Sequence, residues 1–296
     1  MERAKSRGDA AETWGLRTLL SQCICAQGRH ADALSLLEPP ASKEDIGPET
    51  RARVLNQRAF VQSQTGNFVA TSASVDEALE LAVAAGSELL VAEIEMTRCT
   101  LFFYLGSYDA VESCARVALK IAQREHSAII EASATAGVGK AEMYRGRHSE
   151  AIVWFERALK LYESEGATHF ANAMRGELGC CHLALHEDDK ALEYFLPALK
   201  SSEDAGALTR YHIDLADVGA VHFHRGQYSD ALPYFQKAAA IARKLGDPIS
   251  TSKWLHNLSL TYARLGEETL AKTCQFEAEH ASQIVAKARD AASGVK

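Results

Sequence analysis

Two stretches decide how this chain folds: Gly146-Arg-His-Ser-Glu-Ala-Ile-Val-Trp-Phe-Glu-Arg-Ala-Leu159 and Gly226-Gln-Tyr-Ser-Asp-Ala-Leu-Pro-Tyr-Phe-Gln-Lys-Ala238. Each begins on a glycine. In each, alanine follows five residues later, phenylalanine four after that, and alanine three further on. Offsets of 5, 9 and 12 lie on one face of an α-helix. The two stretches stand 80 residues apart, and the gaps between the other glycines show the underlying period.

Glycines recur at 28, 66, 106, 146, 226 and 266, with His186 at the place where one is missing. A second series runs through Gly86, Gly166, Gly206 and Gly246, with His126 filling its gap and Gly8 in the same phase. The period is 40 residues, made of helix, turn, helix, turn, with glycine ending helices in the left-handed conformation. The small residue recurs as Ala33, Ala151, Ala191, Ala231 and Ala271, and the large one as Leu37, Val75, Phe155, Phe195 and Phe235. Seven residues before each turn, the first helix carries Ser21, Ala59, Cys99, Gly139, Gly179, Gly219 or Ser259. A small residue there predicts close approach of the second helix.

These phased positions resemble the tetratricopeptide (TPR) repeat, and the resemblance covers nearly the whole chain. The longer period is similar to that of bacterial signalling proteins and kinesin light chains. The later repeats, such as Leu178-Gly-Cys-Cys-His182 and Trp254-Leu-His-Asn-Leu258, also resemble TPR arrays that precede CHAT (caspase-like) protease domains. The resemblance implies an all-α, right-handed superhelical solenoid of about seven antiparallel helix pairs. It would occupy 1–296 as a single array, with turns at 28, 66, 106, 146, 186, 226 and 266 and an extended capping helix and tail over 268–296. Gly8 in phase makes residues 1–7 read as the end of a preceding helix, so the chain is expected to begin in mid-array.

Some local features depart from the consensus. Glu38-Pro-Pro-Ala-Ser-Lys-Glu-Asp-Ile-Gly-Pro48 should shorten the second helix of repeat one. Pro197 and Pro233 fall inside second helices, where a kink or an exposed edge is expected. Asp247-Pro248 reads as a helix start, a capping residue followed by proline in the first turn.

Composition narrows the function. The net charge is −7, and no basic run exceeds two residues, which argues against nucleic-acid binding. No long apolar stretch or apolar leader is present, so no membrane span is expected and the default address is the cytoplasm. Seven cysteines, an odd number without a C-x-x-C pair, read as reduced thiols packed as small hydrophobes. No G-x-S-x-G, phosphate loop or H-E-x-x-H occurs, so neither an enzyme nor a cofactor is expected.

In TPR proteins the first helix of each pair lines a concave groove, and the turn glycine numbers the positions that would face it. The resemblance implies a partner-binding groove containing Arg53, Asn56, Gln57, Phe60, Met96, Phe103, Tyr104, Lys140, Tyr144, Glu177, His224, Lys253 and Asn257. Aromatic residues, Met and scattered charges suit a peptide groove. A competing reading has Phe60, Phe103 and Met143 packing against adjacent repeats. The lysine–asparagine clamp for a terminal carboxylate lacks its asparagine six before each turn, and an asparagine ladder nine before it has Asn257 alone. Arg58 and Arg98 stand where other repeats are apolar; they form a candidate anion site, or else pair with local acids such as Glu95. Glu142, His182, His222 and Tyr262 share one offset and suggest polar packing between repeats rather than a metal site. The expected function is a scaffold holding a peptide or protein segment. The alternative is a regulatory or peptide-sensing array of a larger signalling protein.

Overall fold

A computed structural model describes residues 10–38 and 46–293. Among them the chain is all-α, and no strand occurs. The helices follow in order: α1 (Ala10–Ala26), α2 (His30–Leu36), α3 (Pro48–Gln64), α4 (Phe68–Ala84), α5 (Glu88–Tyr104), α6 (Tyr108–Arg124), α7 (Ala128–Tyr144), α8 (His148–Ser164), α9 (Thr168–Ala184), α10 (Asp188–Asp204), α11 (Leu208–His224), α12 (Tyr228–Leu245), α13 (Pro248–Arg264) and α14 (Glu268–Ser293). Odd-numbered helices are the first of each pair, and even-numbered helices the second.

The expected turns are all present. Gly28, Gly66, Gly106, Gly146, Gly226 and Gly266 have positive φ, and His126 and His186 take the same left-handed conformation at φ 54° and 61°. Histidine tolerates that region better than bulky or β-branched residues do. The turn is held by two backbone bonds, for instance Ser107 N–H to Phe102 O at 2.9 Å and Gly106 N–H to Phe103 O at 3.0 Å. That pair satisfies carbonyls that the helix end would otherwise leave open. Asp247 caps α13 as expected, its carboxylate accepting from the N–H groups of Ile249 and Ser250 at 3.0 Å each.

By their contacts the described residues divide into two compact units, unit 1 up to Val138 and unit 2 over 139–288. Within unit 1, α3 packs against α4, α5 against α6, and the first helices α3 and α5 touch each other. Ala52, Ala59, Val75, Ala78, Ala82, Leu90 and Ile94 form one buried cluster there. The second helix of repeat one, α2, has seven residues, shortened as expected. Its following loop at 39–45 lies outside the described residues, as do residues 1–9 and the mid-array start read from Gly8.

Unit 2 repeats the same pairing more regularly. Phe155, Phe195 and Phe235 are buried, each opposite a glycine of the paired helix. A Cβ on Gly139, Gly179 or Gly219 would come within 2.8, 2.4 or 3.0 Å of the second helix, chiefly of those phenylalanine rings. The small residue seven before the turn therefore does what its position predicted. Pro197 and Pro233 sit exposed within uninterrupted helices, the exposed-edge outcome of the two expected. The last helix runs past residue 286 to Ser293.

The row at Glu142, His182 and His222 needs a correction. These side chains link the two helices of their own repeat rather than neighbouring repeats, whereas Tyr262, the fourth of the row, does join neighbouring repeats, its hydroxyl accepting from Gln236 Nε2 at 2.9 Å. His182 Nδ1 pairs with Glu187 at 2.6 Å and its ring stacks on Tyr194 at 5.4 Å. His222 does the same with Gln227 at 2.9 Å and Tyr234 at 5.5 Å, and Glu142 pairs with Arg147. The polar partner stands just after the turn in each case, and for the two histidines the ring partner lies on the second helix, both within side-chain reach. Among the described residues no group of three His, Cys, Asp or Glu side chains is arranged to hold a metal.

Candidate partner-binding faces

The first helices of each unit carry the sequence-predicted positions. In unit 1, α3 presents Arg53, Asn56, Gln57 and Phe60, and α5 presents Met96, Phe103 and Tyr104. Arg53 bridges the two helices, 2.9 Å from Glu49 and 3.5 Å from Glu93. Burial pushes Glu93 above the usual carboxylate range, against the pull of Arg53. Phe60 is 39% exposed, whereas Phe103 and Tyr104 are half-buried. Tyr104 stacks on Phe68 at 5.8 Å and meets Phe103 edge-on at 5.6 Å. Both aromatic residues therefore pack on neighbours and still keep a surface. Met96 reaches toward Gly137, where a Cβ would lie 3.3 Å from its methyl.

Gln57 is 7% exposed. Its amide nitrogen and the amide oxygen of adjacent Asn56 are buried without a hydrogen-bond partner. Such groups ordinarily find one. Arg98 lies 3.4 Å from Glu95, the local acid named by the sequence, with its guanidinium over the Phe102 ring. Arg58 is half-buried; with the Gln62 amide turned to satisfy Ser74, the Gln62 oxygen accepts from Arg58 Nε at 3.3 Å.

Unit 2 presents a different chemistry. Lys140 on α7 pairs with Glu177 on α9 at 3.1 Å. Two turns into α11, Asp214 accepts from Arg210 Nε at 2.7 Å and pairs with its terminal nitrogen at 2.6 Å. A Cβ on Gly176 would lie 2.0 Å from the Arg210 guanidinium, so a larger residue there would make the end of that side chain shift. Asp217, one turn after Asp214, receives the Cys180 thiol at 3.9 Å. Lys253 on α13 lies over the Trp254 ring at 4.9 Å.

These groups feel one another. Burial pushes Asp217 up to about 7, Asp214 and Glu177 adding to the rise and Arg210 and Lys253 opposing it. Burial also works against ionising Glu177, but Lys140, Arg210 and Lys253 together outweigh it and hold that carboxyl below its usual range. The Cys180 thiol is pushed well up, by burial first and then by Asp217 and Glu177, so it stays protonated.

The structure thus brings Lys140, Glu177 and Lys253 into one electrostatic cluster. Other predicted residues lie elsewhere. Tyr144 ends α7 and is exposed, and Asn257 is half-buried on α13. His224 is engaged at the turn of the preceding repeat: its Nδ1 meets Asp188 at 2.7 Å and its Nε2 meets His186 Nδ1 at 2.9 Å. Arg210 and Asp214 were missed by sequence reasoning, which numbered positions from the turn: Arg210 lies beyond the furthest position counted, and Asp214 falls between two of them. Arg210 and Asp214 four apart, with a mid-helix Gly176 beside Glu177, were the available signal.

Comparison with known proteins agrees with this geometry. A family model, the tetratricopeptide repeat, matches residues 212–275. No curated protein matches the chain. Among solved structures, a Rap protein complexed with Competence and Sporulation Factor superposes with a TM-score of 0.71 at 13% identity, over 95% of this chain and 87% of that one. BtubC (BKLC) from P. vanneervenii gives 0.55 at 21% identity, over 81% and 93%. A Signal Transduction ATPase with Numerous Domains that carries a tetratricopeptide repeat sensor, from Pyrococcus horikoshii, gives 0.56 at 16% identity, over 84% of this chain and 45% of that one. At these identities the likeness is one of fold. None of the three is a CHAT-associated array, and that resemblance gains no support. Residues 212–275 thus match the tetratricopeptide-repeat model, and the chain shares the all-helical repeat fold of these solved structures.

Proposed function

We propose that this chain is a protein-interaction scaffold whose first-helix faces hold a peptide or protein segment. One observation carries the reading. Six buried side-chain atoms among the described residues lack a hydrogen-bond partner, and five of them, on Arg17, Asn56, Gln57, Thr135 and Asp214, belong to first helices. The pair-facing sides, by contrast, are closed by Ala, Gly and Phe packing. Polar groups left unserved along the first helices suit a ligand that brings its own donors and acceptors. The residues proposed for contact are those of the two faces, with Phe60, Phe103 and Tyr104 in unit 1 and Lys140, Glu177 and Lys253 in unit 2. Arg58 and Arg98 stay outside the proposal, because each is already engaged by its own helix.

The reading involves no catalysis, no cofactor and no nucleic acid. It places the protein in the cytoplasm, where its seven thiols would stay reduced. Among the described residues no helix is long and apolar enough to cross a membrane.

A test starts from random synthetic peptides selected on the full chain. Replacing Phe103 and Tyr104, or Lys140 and Glu177, by alanine should weaken the selected peptides while helicity stays unchanged. Selected peptides that bind every variant as tightly as the parent would refute the assignment.

A second reading makes the chain the sensor array of a larger signalling protein. It is favoured by the fold likeness to the sensor-bearing ATPase, of which this chain spans about half. It requires a native product longer than 296 residues, so an intact mass from the native host that matches this sequence alone would eliminate it.

A further inference from the structure

The first-helix face of unit 2 holds more acceptor capacity than the chain supplies with donors. Asp214 is 1% exposed. Both of its close contacts from Arg210 converge on Oδ1, at 2.7 and 2.6 Å, and Oδ2 has no partner. Three residues on, and so on the same face of α11, Asp217 receives a thiol, a weak donor, at 3.9 Å. Glu177 approaches from α9 with Lys140 at 3.1 Å. The Lys140 and Arg210 charges are matched by Glu177 and Asp214. The carboxylate oxygens left over are Oδ2 of Asp214 and those of Asp217, with the Lys253 charge from α13 offsetting part of this excess at Asp217.

We propose that Asp214 and Asp217, backed by Glu177, form a subsite for a positively charged hydrogen-bond donor of the bound segment, a lysine or arginine side chain or a free amino terminus. The subsite rests on the peptide-holding reading above. A cationic donor supplies the hydrogen bond that Oδ2 lacks, and it compensates the second carboxylate of an i, i+3 acidic pair. The raised Asp217 carboxyl agrees with this: burial, with smaller help from Asp214 and Glu177, opposes its ionisation even against Arg210 and Lys253, and an arriving cation would relieve that opposition. An anionic ligand fits less well, because Arg210 and Lys140 already face carboxylates.

The test uses pools of random heptapeptides, with free and with acetylated amino termini, selected on the full parent chain and on Asp217→Asn. Circular dichroism checks that the variant is folded, and Glu177→Gln serves as a second variant. The subsite predicts enrichment of Lys or Arg at one position, and a loss of roughly tenfold to a hundredfold in affinity for the selected peptide in Asp217→Asn. Enrichment that survives acetylation identifies a basic side chain, whereas binding lost on acetylation identifies the amino terminus. Peptides selected without basic preference, peptides enriched in acids, or equal affinity in Asp217→Asn and Glu177→Gln would overturn the subsite and leave the peptide-holding reading standing. A parent chain that enriches no peptide at all would overturn both.

Discussion

Unit 1 and unit 2 use the same helix-pair geometry and put different chemistry on it. The position nine before the turn is Leu19, Gln57, Thr97 and Gly137 in unit 1, and Glu177, Asp217 and Asn257 in unit 2. Six before the turn, unit 1 has Gln22, Phe60 and Thr100, whereas unit 2 has Lys140, Cys180, Ala220 and Leu260. Both units carry ion pairs on their first helices, but only unit 2 has a nearly buried one, Arg210 with Asp214, whereas the Arg53 and Arg98 pairs of unit 1 are more exposed. The pair interfaces differ too. Unit 2 locks Phe155, Phe195 and Phe235 over Gly139, Gly179 and Gly219, while unit 1 sets Ala59 with Val75 and Cys99 near Cys114 and Val111. The backbone period decides where a side chain sits, and the residue placed there decides what it can hold.

Substitutions can break or sharpen this contrast, the largest effects coming from unit 2. Phe195→Ala should cost about 3–5 kcal/mol, as a large aromatic lost from a closed site does, and denaturant unfolding reads it directly. Arg210→Met leaves Asp214 buried without its partner and should cost a similar amount, about 3–5 kcal/mol. Arg98→Met in unit 1 removes a more exposed pair and should cost about 0–1 kcal/mol by the same measurement. If the two arginine variants unfold alike, the contrast between a buried and a surface network is wrong. Gly179→Ala forces a methyl against Phe195 and should lower stability by about 1–3 kcal/mol. Gly15→Ala in α1 meets nothing within 4 Å and should gain about 0.5–1 kcal/mol from helix propensity.

The pH dependence separates the units further. Asp217 holds its proton up to about 7 in the folded chain, against an ordinary 3.8. Between those values the folded state binds a proton that the unfolded state has released, so stability from this group falls as pH rises through the window. Asp217→Asn should therefore be more stable than the parent at pH 8, with the gap narrowing at pH 5. Thermal unfolding at the two pH values checks it, and a gap that is constant or reversed would contradict the shift.

The fold was legible because its signals repeat. Glycine, a small residue and phenylalanine recur at fixed spacing, so each turn is marked several times over. His126 and His186 could be placed in phase although neither is glycine, and both take the left-handed turn. The two faces were legible only in part. Counting from the turn reached Lys140, Glu177 and Lys253, because helical phase carries a side chain to a known side. It missed Arg210 and Asp214, which pair four residues apart on one helix with the Arg210 guanidinium lying against Gly176 of another. It also put the histidine row between repeats, when a partner five residues on in the same turn was closer. Phase says which way a residue faces, but reach and competing neighbours decide what it touches.

The central claim is that the first-helix faces hold a partner segment, and one measurement bears on it most directly. A peptide selected on the parent chain is titrated against the parent, against Phe103→Ala with Tyr104→Ala, and against Lys140→Ala with Glu177→Ala, with helicity recorded for each. The account predicts that at least one face variant loses roughly tenfold or more in affinity while remaining fully helical. Parent-like affinity in both variants would contradict it.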